Sequence, residues 1–237
     1  MIELRNLSKT FILNGRRKVV ADNINAVFPS NKAVAILGRN GAGKSSLLKM
    51  LAGTMEPDSG TMRSSGTISW PVGFSGSFHG ELTGLQNTRF IARVYGVDTD
   101  ELVAFVQDFA ELGQHFELPV RTYSSGMRSR LAFGVSMGIP FDTYLVDEVT
   151  AVGDASFKQK SEALFMERVS GCGAVMVTHA LNQVRRLCHH AAVLENGQLH
   201  YYENPEQAIA HHQKLMRIDK EAAAAAAAQA DDLDADD

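Results

Sequence analysis

A glycine-rich loop between an apolar strand and a helix constrains this chain more than any other segment. Residues 33–37 form an uninterrupted apolar run, Ala-Val-Ala-Ile-Leu, which is typical of a strand buried on both faces. The loop 38–45 follows, and the chain then continues as a helix that ends near Gly53. A buried strand, a tight loop and a helix in this order predict an α/β fold with a mainly parallel core sheet.

The loop fits the pattern G-x-x-x-x-G-K-[ST], whose residue types suit a phosphate group. Glycines have no side chain to block a phosphate from the backbone, and they readily adopt positive φ. Successive N–H groups can therefore converge on the phosphate oxygens at a helix N-terminus. Lys44 would reach the β- and γ-phosphates, and the Ser45 hydroxyl would bind Mg²⁺. The less specific alternative is a glycine turn that only joins strand to helix. We predict nucleotide contacts along the loop at Gly38, Arg39, Asn40, Gly41, Ala42, Gly43, Lys44, Ser45 and Ser46.

Two further apolar runs end in polar residues that suit chemistry on a phosphate. Residues 144–146 precede Asp147 and Glu148, and residues 174–177 stand shortly before His179. In open α/β sheets the ligand crevice lies at such strand ends, where Asp147 would hold Mg²⁺ and Glu148 would polarise the attacking water. Taken alone, solvated strand ends and a structural histidine are simpler interpretations, but the phosphate loop favours catalysis. The predicted catalytic residues are Lys44, Glu148 and His179, and the predicted metal ligands are Ser45 and Asp147.

The remaining segments predict how the chain is organised around this loop. Strand-like alternation in the first 30 residues predicts an antiparallel N-terminal subdomain, and residues of about 76–135 predict a helical lobe. Asn196-Gly197 predicts a hairpin turn, after which a last helix begins at Pro205. We expect one domain over residues 1–215, followed by an alanine-rich and then acidic tail, 216–237, that is partly disordered.

Charge and composition narrow the choice of partners. The formal net charge of −4 argues against nucleic acid as the main partner, since nucleic-acid binders usually carry a basic excess. The two cysteines, Cys172 and Cys188, suggest neither a disulfide nor a metal site, which fits a reduced cytosolic compartment. The N-terminus does not resemble a signal peptide, and no window approaches ~20 uninterrupted apolar residues. A role at a membrane would therefore require a partner.

The segment 123–130, Tyr-Ser-Ser-Gly-Met-Arg-Ser-Arg, completes a resemblance to the ATP-binding cassette (ABC) family. It stands about 20 residues before Asp147-Glu148 and resembles a variant of the cassette signature Leu-Ser-Gly-Gly-Gln. From the residues alone, Ser124, Ser125 and Gly126 predict only a helix cap. The resemblance implies more: these three residues bind the γ-phosphate of ATP held by the opposite subunit, so that the site is complete only in a dimer. It also implies a P-loop NTPase fold of the ABC type.

Further residues match the family one by one. Phe11 stands at the place of the aromatic residue that stacks on adenine, and His179 matches the switch histidine. Asp154, within 151–154, resembles the loop that couples the two sites of the dimer. The lid loop departs from the pattern, because Gln86 lies too far along the chain to be the lid glutamine. By spacing, the lid position falls near 74–76, Phe-Ser-Gly, where no glutamine stands and where Ser75 could substitute for it.

The spelling of these motifs is similar to that of polysaccharide-exporting cassettes, and most similar to the ATPase of the Gram-negative capsular polysaccharide exporter. The segments that carry this likeness are 68–74, 78–84, 89–96 and 146–154. It implies ATP and Mg²⁺ as cofactors, a second copy of the chain and a separate membrane permease as partners, and periplasmic and outer-membrane export proteins beyond them. The chain would then lie at the cytoplasmic face of the inner membrane.

Three alternatives stay open at this point. The first is export of another lipid-linked glycan, O-antigen or a teichoic-type polymer, in place of capsular polysaccharide. The ATP site does not distinguish these glycans. A soluble cassette acting on DNA or ribosomes is disfavoured, because the chain has neither a long coiled-coil insertion nor a second cassette. A degenerate cassette that only binds nucleotide is disfavoured by the presence of Lys44, Asp147, Glu148 and His179.

One segment is a candidate contact with the permease. Residues 78–82, Phe-His-Gly-Glu-Leu, are rich in apolar and aromatic groups where the lid loop meets the helical lobe. We predict that they line a groove for a short helix of the permease, with Phe90 and Tyr95 nearby. The alternative is that these side chains fill the core of the lobe itself.

Overall fold

The computed structural model describes residues 1–13, 15–74, 76, 78–147 and 155–218. The strands are β1 (Ile2–Leu13), β2 (Arg16–Phe28), β3 (Ala33–Leu37), β4 (Ser59–Ser64), β5 (Ile68–Pro71), β6 (Thr143–Asp147), β7 (Gly173–Val177), β8 (His190–Glu195) and β9 (Gln198–Tyr202). The helices are α1 (Lys44–Leu51), α2 (Gly84–Tyr95), α3 (Thr99–Ala110), α4 (Ser125–Gly138), α5 (Ala155–Ser170), α6 (Leu181–Leu187) and α7 (205–218). No helix within these ranges is both long enough and apolar enough to cross a bilayer.

The strands form two sheets, and the predicted fold class is confirmed. The core sheet has the order β5-β6-β7-β3-β8-β9 and is parallel except for the β8–β9 hairpin, which turns at Asn196-Gly197 as predicted. The second sheet, in the order β2-β1-β4, is antiparallel and contains the N-terminal strands. The glycine-rich loop follows β3, which lies inside the core sheet between β7 and β8.

The core sheet is covered on both faces, which explains the uninterrupted apolar run of β3. Successive side chains of a strand point to opposite faces. Val34 and Ile36 pack in the core that includes α1 and the antiparallel sheet, whereas Ala35 and Leu37 pack in the core that includes α3, α4 and α5. All five residues of β3 are buried, so the strand and the loop that follows it are held from both sides.

The helices α2, α3 and α4 lie in the stretch predicted to be a helical lobe, and α4 runs to Gly138, three residues beyond the expected limit of about 135. Asp98 caps α3, since its carboxylate accepts from the N–H groups of Asp100 and Glu101 at 2.9 Å. The rings of Phe109 on α3 and Phe133 on α4 stack with centroids 5.6 Å apart. Helix α7 begins at Pro205, as expected, and extends through residue 218. The rest of the predicted tail, 219–237, lies outside the described residues.

Candidate functional site

The glycine-rich loop is packed too closely against neighbouring strands to accept larger residues at two positions. A Cβ atom on Gly38 would lie 2.5 Å from the carbonyl oxygen of Leu194 in β8. Gly43, the residue before α1, has φ of 108°, and a Cβ there would lie 2.7 Å from the Cβ of Val20 in β2. Since real Cβ atoms do not approach so closely, the spacing of these glycines is required by the packing of β2 and β8 around the loop.

The side chain of Lys44 folds back over the loop that precedes it. Its ammonium group donates to the carbonyl oxygens of Gly38 and Arg39, each at 2.9 Å, although the residue is only 6% exposed. The N–H of Ala42 donates to the carbonyl oxygen of Arg39 at 3.1 Å and closes the turn. Asn40, Gly41 and Ser45 are exposed, and Ser46 is half-buried in the first turn of α1. The loop is thus a compact backbone cradle with one buried cation at its centre.

The predicted metal ligands face each other across the sheet edge. The hydroxyl of Ser45, at the start of α1, lies 3.5 Å from a carboxylate oxygen of Asp147, the last residue of β6. Strand register explains this contact, because Ile36 of β3, Val177 of β7 and Asp147 form one row across three parallel strands. His179 follows that row by two residues and is exposed. The carboxyl ends of these strands therefore bring together, at one edge of the sheet, the residues predicted to bind the phosphates, the metal ion and the γ-phosphate.

Three predicted positions lie outside the described residues: Glu148, Asp154 and Ser75. Their assignments as water-activating residue, dimer-coupling residue and lid substitute remain predictions. Gln86 has a structural place: its side chain and that of Thr83 form a capping box at the start of α2, with hydrogen bonds of 2.9 and 3.0 Å. Gln86 therefore has a structural role as a cap of α2, which is consistent with excluding it as the lid glutamine.

Phe11 lies on β1, directly opposite Lys18 of β2. The ammonium group of Lys9 lies 5.7 Å from the centroid of the Phe11 ring and forms a salt bridge of 2.8 Å with Asp58. The Phe11 ring is half-buried, and a flat base could stack on its exposed part. Lys18 is absent from the residues predicted from sequence, because which residue lies opposite Phe11 depends on irregular strand pairing that local patterns do not reveal.

The signature segment begins helix α4. The Ser124 side chain accepts from the N–H of Met127 at 3.2 Å, as the predicted cap requires, and both Ser124 and Ser125 are exposed. Gly126 follows in the first turn of the helix. The Tyr123 hydroxyl donates to the carbonyl oxygen of His115 at 2.6 Å and anchors the helix start from within the lobe. The two serine side chains at this helix start are therefore accessible to another molecule.

Helix α7 brings a buried histidine toward the phosphate loop. His212 is 7% exposed, and its Nδ1 has no hydrogen-bond partner among the described residues. Burial lowers the pKa of His212, and the nearby charges of His179, Lys44 and His211 lower it further. The sequence does not predict a place for His212 in the site, because adjacent histidines on a helix point in different directions and do not form a shared cluster. Helix α7 therefore passes close to Lys44 and His179 at this residue.

The loop forms a phosphate cradle at the carboxyl end of a parallel strand, and a carboxylate from a neighbouring strand lies beside the first turn of the helix that follows. This arrangement defines a P-loop nucleotide-binding protein. The family model described as "ABC transporter" matches residues 21–151. The chain belongs to the ABC transporter family and is an ATPase of that family.

Similar proteins place it more closely within the family. The chain is 48% identical over 224 residues to the polysialic acid transport ATP-binding protein KpsT of Escherichia coli, covering 93% of this chain and 100% of that protein. It is 40% identical to the capsule polysaccharide export ATP-binding protein CtrD of Neisseria meningitidis serogroup B, covering 91% of this chain and 100% of that protein. The dimeric, post-hydrolysis structure of the cassette MJ0796 bound to ADP and Pi superposes with a TM-score of 0.70 at 22% identity, over 84% of this chain and 96% of that one. This last likeness concerns the fold alone.

Proposed function

We propose that this chain is the ATP-hydrolysing subunit of an exporter that carries capsular polysaccharide across the inner membrane. The observation that carries the catalytic part is the 3.5 Å contact between Ser45 and Asp147, which joins the phosphate loop to the end of a neighbouring strand. The substrate class is supported by relatives with 40–48% identity, whose names state transport of polysialic acid or export of capsule polysaccharide. These likenesses extend over nearly the whole chain, as expected for subunits with the same role.

ATP binding follows from the arrangement of the loop. The base stacks on the exposed part of the Phe11 ring, and the phosphates lie on the backbone N–H groups ahead of α1. Lys44 exchanges its bonds to the carbonyl oxygens of Gly38 and Arg39 for the β- and γ-phosphate oxygens. Because the ammonium group is already buried beside the loop, this exchange requires little movement of the backbone.

The donor groups at the sheet edge fit Mg²⁺. A hydroxyl and a carboxylate oxygen, from Ser45 and Asp147, face each other, and hard oxygen ligands suit this cation. When bound, Mg²⁺ neutralises charge on the β- and γ-phosphates. Glu148, the residue after Asp147, polarises the attacking water and accepts its proton, and His179 donates to the γ-phosphate from the end of β7.

A second copy of the chain completes each site. The exposed N-terminal turn of α4, with Ser124, Ser125 and Gly126, offers hydroxyl and N–H donors to the γ-phosphate held by the opposite copy. Asp154 of each copy couples the two sites. ATP thus holds two copies together, and its hydrolysis separates them. This cycle of closure and opening provides the movement that the permease uses.

The permease docks along residues 78–82 and at the adjoining apolar surface of α2, to which His79 is joined by a hydrogen bond with Asn87. Ile91 is buried, whereas Phe90, Val94 and Tyr95 on the same helix are 59%, 61% and 45% exposed. Phe74, shortly before the predicted docking segment 78–82, is 55% exposed. Such an exposed apolar strip suits an amphipathic helix of a membrane partner, which buries its own apolar face there. This contact holds the chain at the cytoplasmic face of the inner membrane, with periplasmic and outer-membrane export proteins beyond the permease.

Glu148→Gln tests the catalytic assignment. The variant keeps size and hydrogen bonding but loses the basic oxygen, so turnover should fall by about 10²–10⁴-fold while ATP still binds and stabilises a dimer. Turnover and ATP-dependent dimerisation are measured on one preparation, with Glu117→Gln, an exposed position outside the site, as the matched charge control. A Glu148→Gln variant that hydrolyses ATP as fast as this control contradicts the assignment.

The substrate and the docking surface need the assembled exporter. Co-purifying the chain with its permease and identifying the bound glycolipid tests the substrate class: a capsular glycolipid supports the proposal, and O-antigen or a teichoic polymer contradicts it. A cysteine introduced at exposed His79 should crosslink to the permease, whereas the unmodified chain, with half-buried Cys172 and buried Cys188, should not. A series of cysteines along 76–85 without any crosslink would refute the docking surface.

A further inference from the structure

A lysine on β2 lies between the ring assigned to the base and the loop assigned to the phosphates. We propose that Lys18 binds the α-phosphate of the nucleotide, as a ligand in addition to the phosphate loop. The inference rests on the proposed ATP site and adds a residue that is neither in the loop motif nor in the signature. Its support comes from strand register, from the contact with the loop and from the charge of its surroundings.

Strand register places Lys18 on the same face as Phe11. The two residues are direct partners in the antiparallel pair of β1 and β2, and opposite residues of such a pair project to one face of the sheet. An irregularity in the pairing separates Lys9, opposite Ala21, from Thr10, opposite Val19, and thereby fixes which β2 residue meets Phe11. The neighbouring Arg17 is opposite Ile12 and projects to the other face.

The same face of β2 packs against the phosphate loop. The ammonium nitrogen of Lys18 lies 3.2 Å from the position that a Cβ on Gly41 would occupy. Two residues further along the strand, Val20 is buried and lies against Gly43. The long side chain of Lys18 therefore runs from the strand position opposite Phe11 to the middle of the loop. A nucleotide with its base on Phe11 and its β- and γ-phosphates on the loop has its ribose and α-phosphate in this interval.

Charge distinguishes Lys18 from the other cation near the ring. Lys9 is held by the Asp58 carboxylate at 2.8 Å, and its side chain is 18% exposed. Lys18 is exposed, and within the described ranges it forms no salt bridge. An ammonium group without a carboxylate partner, placed where a phosphate would come, gains a charge-assisted hydrogen bond when the phosphate binds. Among the residues that the structure describes, no ion pair of Lys18 has to be broken for this contact to form.

Equilibrium titrations of the full-length chain with ATP and with ADP test the proposal. Lys18→Ala should weaken both nucleotides equally, by about 10- to 100-fold, because a hydrogen bond between charged groups is lost and both nucleotides carry the α-phosphate. Lys18→Arg should lose less, since it keeps the cation. Arg17→Ala is the matched control: it removes the same charge from the adjacent residue, on the other face of the strand.

The outcomes separate this inference from the proposed function. Equal affinities for Lys18→Ala and Arg17→Ala would overturn it, and a loss confined to ATP would also do so, because the contact would then be with the γ-phosphate. If the unmodified chain bound no ATP, the proposed function would fail and this inference with it. Urea unfolding of each variant shows whether it is folded, and Lys18→Gln replaces Lys18→Ala in the same titrations if the latter is not.

Discussion

Replacing Gly43 by alanine should disrupt the phosphate loop through a steric contact that the structure defines. Gly43 has φ of 108°, a region in which an L-residue costs about 1–2 kcal/mol. The added Cβ would also lie 2.7 Å from the Val20 Cβ and 3.1 Å from the Val20 carbonyl oxygen. Such overpacking costs about 1–3 kcal/mol. The two effects together predict that Gly43→Ala lowers the free energy of unfolding by about 2–5 kcal/mol.

Gly96→Ala is the matched control, because Gly96 also has a positive φ, 67°, but a Cβ there would have no neighbour within 4 Å. The control should therefore lose only about 1–2 kcal/mol, the backbone part of the effect. Val20→Ala should not relieve the contact, since alanine keeps both the Cβ and the carbonyl oxygen. Urea unfolding measures the free energy for each variant.

Nucleotide affinity provides a second measurement on the same preparations. If the loop shifts to relieve the contact at Gly43, its N–H groups leave their positions, and ATP affinity should fall by about tenfold or more. Gly96→Ala, at the end of α2, should bind ATP like the unmodified chain. The reasoning would be refuted if Gly43→Ala unfolded with the same free energy as Gly96→Ala and also bound ATP normally.

Three further predictions use other parts of the chain. Lys44→Ala should strongly reduce ATP binding or turnover in the assembled complex, because it removes the cation at the centre of the loop, and unchanged ATPase activity would mean that the site is misplaced. Thr83→Ala should lower the free energy of urea unfolding by about 1 kcal/mol, since it removes the cap of α2; an unchanged value would show that the capping box contributes no net stability. Hydrogen bonds from the backbone and side chain of Thr67 hold the pKa of Asp142 below its ordinary value of 3.8. The stabilisation by Asp142 is thus present above pH 3.8 and is lost as the pH falls through the lower folded-state pKa, so the difference in unfolding free energy between the unmodified chain and Asp142→Asn should shrink at acid pH. A difference that did not change with pH would contradict this.

Several elements could be predicted from the sequence because their causes are local. The apolar run 33–37 and the glycine loop predict a buried strand, a turn and a helix, and the structure has β3, the loop and α1 there. Asp98 stands just before a helical pattern and caps α3. In each case residues within a few positions of one another supply both the pattern and the hydrogen bonds. For the same reason the phosphate loop could be identified from its residues alone.

The exposure of the apolar face of α2 could not be predicted from local sequence. Periodicity places Phe90, Ile91, Val94 and Tyr95 on one apolar face, but only Ile91 of these four is buried, and the other three are 45–61% exposed. Periodicity reports that a face is apolar and not what covers it. What covers it depends on the elements that happen to pack there, from within the described chain or, as proposed, from the permease.

The class of this protein follows from its sequence, because the phosphate loop, the strand-end carboxylates and the signature segment each lie in a short stretch of neighbouring residues. How these stretches meet follows from the tertiary structure. The parallel register that aligns Ile36, Val177 and Asp147 brings Ser45 within 3.5 Å of a carboxylate 102 positions away in the chain. An irregular strand pairing sets Lys18 opposite Phe11. Register is fixed by packing between distant segments, because a shift of one residue would turn every side chain of a strand to the other face, and no local pattern contains that choice.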